Sequence, residues 1–308
     1  MGKKLNVRND VVFKLFFLRE ENRPLLISFL ESVLRPKSPI ETVEILNSAL
    51  PKAEVEDKAS FLDLVVMLCD RTKIDVEMQM GDTAGFRERI LYYWAKLHRE
   101  QLKVGEIYPT IASTISICVL DYNEFSENTT EFHTIFELRE TKQNFPYSSS
   151  MQLHFIELPK YDLWKKKHQE STDFLNNWVS FFKFSEREET DTNIIAMTKD
   201  TLMNKALKAL EKLSQDPEAK ELAEMREKSR INLQITTGAA YHKGREEGRE
   251  EGIEKGREEG IEKGREEGIE KGRENDIRLM AKKGLSSQDI AKFLDIDLDK
   301  VNKILSSK

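Results

Sequence analysis

The chain has 308 residues, 34% charged and 39% hydrophobic, which suffices for one large domain with a buried core and an extension. Its formal net charge of -6 supplies no global attraction to a polyanion, so any nucleic-acid contact must come from a local basic patch. Cys69 and Cys118, both in apolar runs, are too few for a disulfide framework or a zinc cluster and suggest core roles in a reducing compartment. No run is long and apolar enough for a membrane span. Polar Asn6, Arg8, Asn9 and Asp10 stand where a signal peptide would be apolar, so a cytoplasmic protein without membrane contact is expected.

In chain order, Asn9 or Asp10 caps a helix through Val11, Phe13, Leu15 and Phe16, and Pro24 starts a second through Leu25, Leu26, Phe29, Leu30 and Val33, ended by Pro36 and Pro39. Ile40 to Leu46 reads as a strand. The run Phe61 to Leu68 is apolar except for Asp63, and after the polar turn Asp70 to Lys73 the stretch Ile74 to Met80 alternates strictly. Together they predict a hairpin with Asp75, Glu77 and Gln79 on one face and Ile74, Val76 and Met78 on the other.

A carboxylate inside an apolar run is costly unless it is paired, hydrogen-bonded or bound to a metal. If the register sets Asp63 beside Glu77, two carboxylates converge, and a hard divalent ion such as Mg2+ suits their oxygens. The plainer reading, slightly favoured by pattern alone, makes Asp63 a strand end and Asp75, Glu77 and Gln79 a solvated face.

Gly81-Asp82-Thr83 signals a helix start, followed by Phe86, Ile90, Tyr93 and Leu97 at helical spacing. Its other faces carry Arg87, Arg89, Lys96, Arg99 and Lys103. Such a set most often makes a solvated helix face, but beside an active site it can neutralise phosphates, and Arg87 and Arg89 stand nearest the hairpin. Thr110 to Leu120, Phe132 to Leu138 and Gln152 to Leu158 read as further strands. From Tyr161 to Met225 the pattern turns helical, with Trp164, Phe174, Leu175, Trp178, Phe181 and Phe182 as core. Helix, strand, hairpin, helix and strands in this order fit a mixed α/β sheet flanked by helices.

Asp63 followed fourteen residues on by Glu77-x-Gln79 resembles the active-site hairpin of the PD-(D/E)XK nuclease superfamily. Together with Asn9-Asp10-Val11-Val12-Phe13-Lys14 and Phe155-Ile156-Glu157-Leu158-Pro159-Lys160, it resembles more narrowly the Rpn family of recombination-promoting nucleases and putative transposases. The resemblance implies an α/β restriction-endonuclease-like core with a C-terminal helical extension. It implies an endonuclease dependent on Mg2+ or Mn2+ that hydrolyses DNA phosphodiesters in recombination, mobile-element biology or phage defence. Asp63, Glu77 and the backbone carbonyl of Met78 would hold the metal, Asp10 is a further candidate ligand, and Gln79 would orient water. The superfamily commonly has Lys at that third position. Gln carries no charge, although the resemblance implies that it is usual in the Rpn branch. The alternative is a non-catalytic DNA-binding or scaffolding protein that keeps the nuclease fold and multimerises through its C-terminal region.

In Lys243 to Asn275, glycine recurs every four residues from Gly244 to Gly272, and Ile253, Ile261 and Ile269 recur every eight. Glycines in a helix cost about 1 kcal/mol each relative to Ala, against about 0.3 for a Glu-to-Lys pair, so an isolated helix here is marginal. Close helix packing and a charged linker are both open. The tail predicts short helices: Ile277 to Lys283 stopped by Gly284, one begun by Ser286, and one begun by Asp297. It resembles a helix-turn-helix with Lys300, Asn302 and Lys303 outward and Asp295 in place of the usual turn Gly, and a capping or dimerising module is an equal reading. The expected organisation is a nuclease-like core over 1–160, a helical region completing it over 161–237, the repeat over 238–275 and the tail over 276–308, in a homo-oligomer acting on DNA.

Overall fold

The structure is a computed structural model and describes residues 4–47, 64–81, 83–102, 105, 107–168, 173–188 and 191–307, excepting the side chains of 237–244, 247 and 250. Asp63, the run that leads into it from Phe61, Asp82 and Lys103 lie outside the described residues. The chain divides into two compact units, Met1–Leu233 and Gln234–Lys308.

In the first unit, α1 (Asp10–Leu18) and α2 (Arg23–Leu34) precede the strands β1 (Val43–Ile45), β2 (Leu64–Leu68) and β3 (Lys73–Gln79). Asn9 caps α1, its Oδ1 accepting from the amides of Val11 and Val12 at 3.1 and 3.3 Å. The helix α3 (Phe86–Arg99) leads to β4 (Thr114–Leu120), followed by β5 (His133–Glu137) and β6 (Met151–Glu157). The sheet order is β1-β2-β3-β4-β6-β5, with β3, β4 and β6 mutually parallel and the other pairs antiparallel.

The hairpin forms with Leu64 opposite Val76 and Val66 opposite Ile74. The tight turn closes because Asp70 Oδ1 accepts from the amide of Thr72 at 2.9 Å and Arg71 takes a left-handed conformation, φ 69°. That turn corrects one expectation: Cys69 lies past the end of β2 and is exposed, while Cys118 in β4 is buried.

Even-numbered residues of β2 and β3, among them Leu64, Val66, Ile74 and Val76, join Ile117, Val119 and Ile156 in the main core. Against them pack Phe13, Phe17 and Phe29 of α1 and α2, with Trp178 and Phe182 of α5 (Leu175–Phe184). Edge-to-face contacts at 5.6 Å for Phe29 with Trp178 and 5.4 Å for Phe29 with Phe182 lock these helices together. Between β6 and α5 lies α4 (Tyr161–Lys167), and after α5 come α6 (Thr192–Lys199) and α7 (Thr201–Leu213), whose Met203, Leu207 and Leu210 complete the same core. Phe174, expected in the core, is 75% exposed because it precedes α5, whose first amide is held by Asp173.

The opposite face of the sheet carries a smaller apolar cluster, Cys118, Leu120, Leu153 and Phe155 against Phe86 and Ile90 of α3. The predicted helix start at Gly81-Asp82-Thr83 comes later than expected, at Phe86, with Gly85 in a left-handed conformation before it, φ 74°.

The long α8 (Pro217–Lys282) runs through the repeat, so the octads form helix throughout. Ile253, Ile261 and Ile269 are half or more exposed, while Ile277, the next in the same eight-residue register, is buried in the core of the second unit. Eight residues advance a helix by about 80° beyond two turns, so the isoleucines wind around α8 and make no single stripe. The tail is α9 (Ser287–Leu294) and α10 (Leu298–Ser306), packed through Ile290, Val301 and Ile304 on Ile277. Ser286 and Asp297 cap them as expected, and Asp295 takes the left-handed turn position at φ 51°.

Candidate active site

Strict alternation in β3 brings Asp75, Glu77 and Gln79 to the sheet face beneath α3. The solvated-face reading is corrected here: Asp75 is 5% and Glu77 7% exposed. The reason lies in α3, which lays its apolar Phe86 and Ile90 on the neighbouring strands and reaches Glu77 with a cation. Arg89 Nη2 donates to Glu77 Oε1 at 2.8 Å and to Gln79 Oε1 at 2.9 Å, while its Nη1 donates to Thr83 Oγ1 at 3.3 Å. The guanidinium carbon also sits 5.1 Å from the centre of the Phe86 ring. Buried carboxylates demand such a counter-charge, and Arg89, expected as a phosphate contact, is here paired with Glu77.

Gln79 is held at both ends of its amide, since its Nε2 donates to the Gly81 carbonyl at 3.1 Å. The turn beyond it is fixed by Asp121 after β4, whose Oδ1 accepts from the Gly81 amide at 2.7 Å, with Gly81 at φ 80°. Met78, between the two polar residues, points into the main core.

Arg87 is engaged elsewhere. It pairs with Glu124 and donates from Nη2 to the Glu124 carbonyl at 2.9 Å, over the Phe125 ring. That loop hangs from the buried pair Glu157 and Lys160: Glu157 Oε1 accepts from the amides of Glu124 and Phe125 at 2.7 and 3.0 Å, and Lys160 Nζ donates to Glu157 Oε2 at 2.6 Å and to the Phe125 carbonyl at 3.1 Å. The Glu157-Leu158-Pro159-Lys160 segment is therefore a structural clamp, separated from the strand of Glu77 by β4.

Asp10 begins α1 and is bonded by Arg226 of α8, Nε to Oδ2 at 2.8 Å and Nη2 to the same oxygen at 2.6 Å. Four residues on, Arg230 pairs with Glu227 at 2.6 Å; that bond holds Arg230 above its ordinary pKa, and the charges of Asp121 and Asp10 act in the same direction. A cleft of about 630 Å³ opens here, lined by Asn6, Asn9, Met80, Lys220 and Arg230 among others. Sequence reading missed Arg226 and Arg230, which lie over two hundred residues from Asp10 and carry no local signal.

It also missed the bolt at the other end of α3. Trp94 Nε1 donates to the Thr114 carbonyl at 2.8 Å, Gln101 Nε2 donates to Thr114 Oγ1 at 2.8 Å, and His98 Nδ1 lies 2.9 Å from the same hydroxyl. Burial lowers the His98 pKa. Trp94 and His98 at i and i+4 share one face of α3 and Gln101 follows just past its end, the pattern that could have revealed this contact. In the second unit, Lys300, Asn302 and Lys303 are exposed on α10, and Lys300 lies 3.6 Å from Glu270.

Among the described residues, no group of three or more His, Cys, Asp or Glu is arranged as a metal site. Asp75 and Glu77 nevertheless offer buried hard oxygen donors of the kind a divalent ion takes.

A mixed sheet flanked by helices, with an antiparallel hairpin that leads into parallel strands and ends in Glu-x-Gln, defines a PD-(D/E)XK nuclease-like fold. The chain belongs to the PD-(D/E)XK nuclease family transposases, whose family model matches residues 7–239. Comparison with curated proteins and with solved structures gave no match. No helix among the described residues is long and apolar enough to cross a membrane.

Proposed function

We propose that the protein is a divalent-metal-dependent DNA endonuclease acting in recombination or transposition, with Asp63, Glu77 and Gln79 at its centre. The observation that carries this reading is the buried Glu77, set with Gln79 on one face of β3 and neutralised by Arg89. Asp63 directly precedes Leu64, and Val76, the partner of Leu64, directly precedes Glu77, which is the sequence relation the reading requires.

Bound between Asp63 and Glu77, Mg2+ or Mn2+ would supply Lewis-acid stabilisation of the phosphoryl oxygens and lower the pKa of water. Glu77 supplies a carboxylate fixed by its strand, and the Met78 carbonyl is a further oxygen at the same position. Gln79 orients water through an amide whose rotamer is set by Gly81 and Arg89. Asp10, the further candidate ligand, is tied to Arg226 in an ion pair. Lys220 and Arg230 in the neighbouring cleft, and Lys300, Asn302 and Lys303 in the tail, are the contacts proposed for DNA backbone.

Plasmid cleavage by purified full-length protein in Mg2+ or Mn2+, beside Asp63→Asn and Glu77→Gln, tests this directly. Nicking that both substitutions abolish is expected. Equal inactivity of all three across metals and DNA forms would refute the catalytic reading.

A further inference from the structure

Arg89 holds the position that a metal ion would need to neutralise. Its Nη2 bonds Glu77 Oε1 and Gln79 Oε1 together, at 2.8 and 2.9 Å, with Asp75 two residues along the same buried face. A carboxylate oxygen can accept from an arginine and still ligate a metal, but the guanidinium and a divalent ion on the same group repel each other across a poorly solvated space. The Arg89 side chain is 22% exposed and lies over the Phe86 ring, so a phosphate oxygen arriving from solvent offers its guanidinium a new anion.

From this arrangement we infer that Arg89 is an internal counter-cation that exchanges partners. In the free protein it neutralises Glu77; when a divalent ion takes Glu77, Arg89 is released to a phosphate oxygen of the DNA, whose charge and fork geometry suit it. Metal and phosphodiester then bind cooperatively, because each removes the obstacle to the other. The inference rests on the nuclease reading of Glu77, and it makes Arg89 a positioning residue that restrains metal uptake until substrate arrives.

Two features of the chain support exchange over a purely structural pair. Arg89 lies on α3, which is bolted to the sheet independently through Trp94, His98 and Gln101 at Thr114, so the helix does not depend on Arg89 for its seat. The neighbouring Arg87 is by contrast committed to Glu124 and its carbonyl, whereas Arg89 bonds both Glu77 and Gln79.

The test is Mn2+ binding by the full-length chain without DNA, measured by electron paramagnetic resonance of the free ion, for wild type, Arg89→Met, Arg89→Lys and Glu77→Gln. Arg89→Met should bind Mn2+ about tenfold or more tightly than wild type, because the competing charge is gone while the apolar stem remains. Arg89→Lys should stay near wild type, and Glu77→Gln should lose the site. With a phosphorothioate-linked duplex present, wild-type affinity should rise toward that of Arg89→Met, whose own affinity should change less. If Arg89→Met fails to fold, Arg89→Lys with and without the duplex decides the coupling. Unchanged or weaker Mn2+ binding in Arg89→Met, with binding still lost in Glu77→Gln, overturns the exchange and leaves the nuclease reading standing. Mn2+ binding absent from every protein overturns both.

Discussion

Replacing Lys160 with Met should destabilise the N-terminal unit by about 3–5 kcal/mol, the cost of stranding a buried charge by removing its partner. The geometry sets that magnitude. Glu157 is fully buried, and Lys160, itself only 7% exposed, is its one ion-pair partner among the described residues. The two amides of Glu124 and Phe125 remain after substitution but supply dipoles in place of a full charge, and the Phe125 carbonyl loses the Nζ donor at 3.1 Å. Urea titration read by tryptophan fluorescence is suited to the question, because all three tryptophans, Trp94, Trp164 and Trp178, lie in Met1–Leu233 and the C-terminal unit is silent. Glu157→Gln combined with Lys160→Met should recover part of the loss, since a neutral amide can still accept from the Glu124 and Phe125 amides. A loss below about 1 kcal/mol in Lys160→Met would put the pair in the class of surface ion pairs and refute the clamp.

Acid should destabilise the same unit through His133 and His154, whose rings stack at 5.2 Å with Nε2 of the first 3.0 Å from Nδ1 of the second. Burial, with a smaller effect of Arg35, pushes His133 down to about 4, and burial, with His133 beside it, pushes His154 down to about 3. The unfolded chain takes up these protons near the ordinary histidine value and the folded one only well below it. Stability is therefore full above about pH 6.5 and falls as pH drops toward 4, by up to about 1.4 kcal/mol per pH unit for each ring. His154→Leu should flatten that slope in urea titrations between neutral and mildly acidic pH, and an unaltered slope would refute the assignment. Gly256→Ala with Gly264→Ala should stabilise α8 by about 1 kcal/mol per site, since an added Cβ meets nothing within 4 Å at either position. Thermal melts by circular dichroism would show it, and a lowered midpoint would mean that the glycines serve close packing. Asn9→Ala should cost about 1 kcal/mol by uncapping α1 and removing the Asn9 bond to the Ala223 carbonyl, read by the same fluorescence titration; no change would mean that the Asp10–Arg226 pair seats the helix without the cap.

The hairpin was legible because alternation is a backbone property: Ile74, Val76 and Met78 must face away from Asp75, Glu77 and Gln79 wherever the strand lies. Whether the polar face is wet or dry is not a backbone property. It depends on Arg89, ten residues beyond Gln79 and on another element, so periodicity alone leaned toward solvent when the acids are buried. Cys69 was misplaced for a related reason, since an apolar run does not announce where a strand yields to its turn. The tail was read closely because its signals are local: Ser286, Gly284 and Asp297 act within three or four residues of themselves. Glu157 and Lys160 fall between these cases. Their spacing is visible, but the amides of Glu124 and Phe125 that turn the pair inward arrive from over thirty residues upstream.

The same distinction bears on the site. What sequence supplied is the order of polar side chains along one strand; what tertiary structure adds is a charge balance that the strand cannot set for itself. Glu77 is balanced by Arg89 from α3, Asp10 by Arg226 from α8, and Glu157 by Lys160 from its own 3-10 turn. Of the three, the Glu157 pair is sealed, whereas Arg89 and Arg226 remain about one-fifth exposed. A sealed pair can only hold the fold together; a pair whose cation keeps one-fifth of its surface in solvent retains a route by which that cation can change partners.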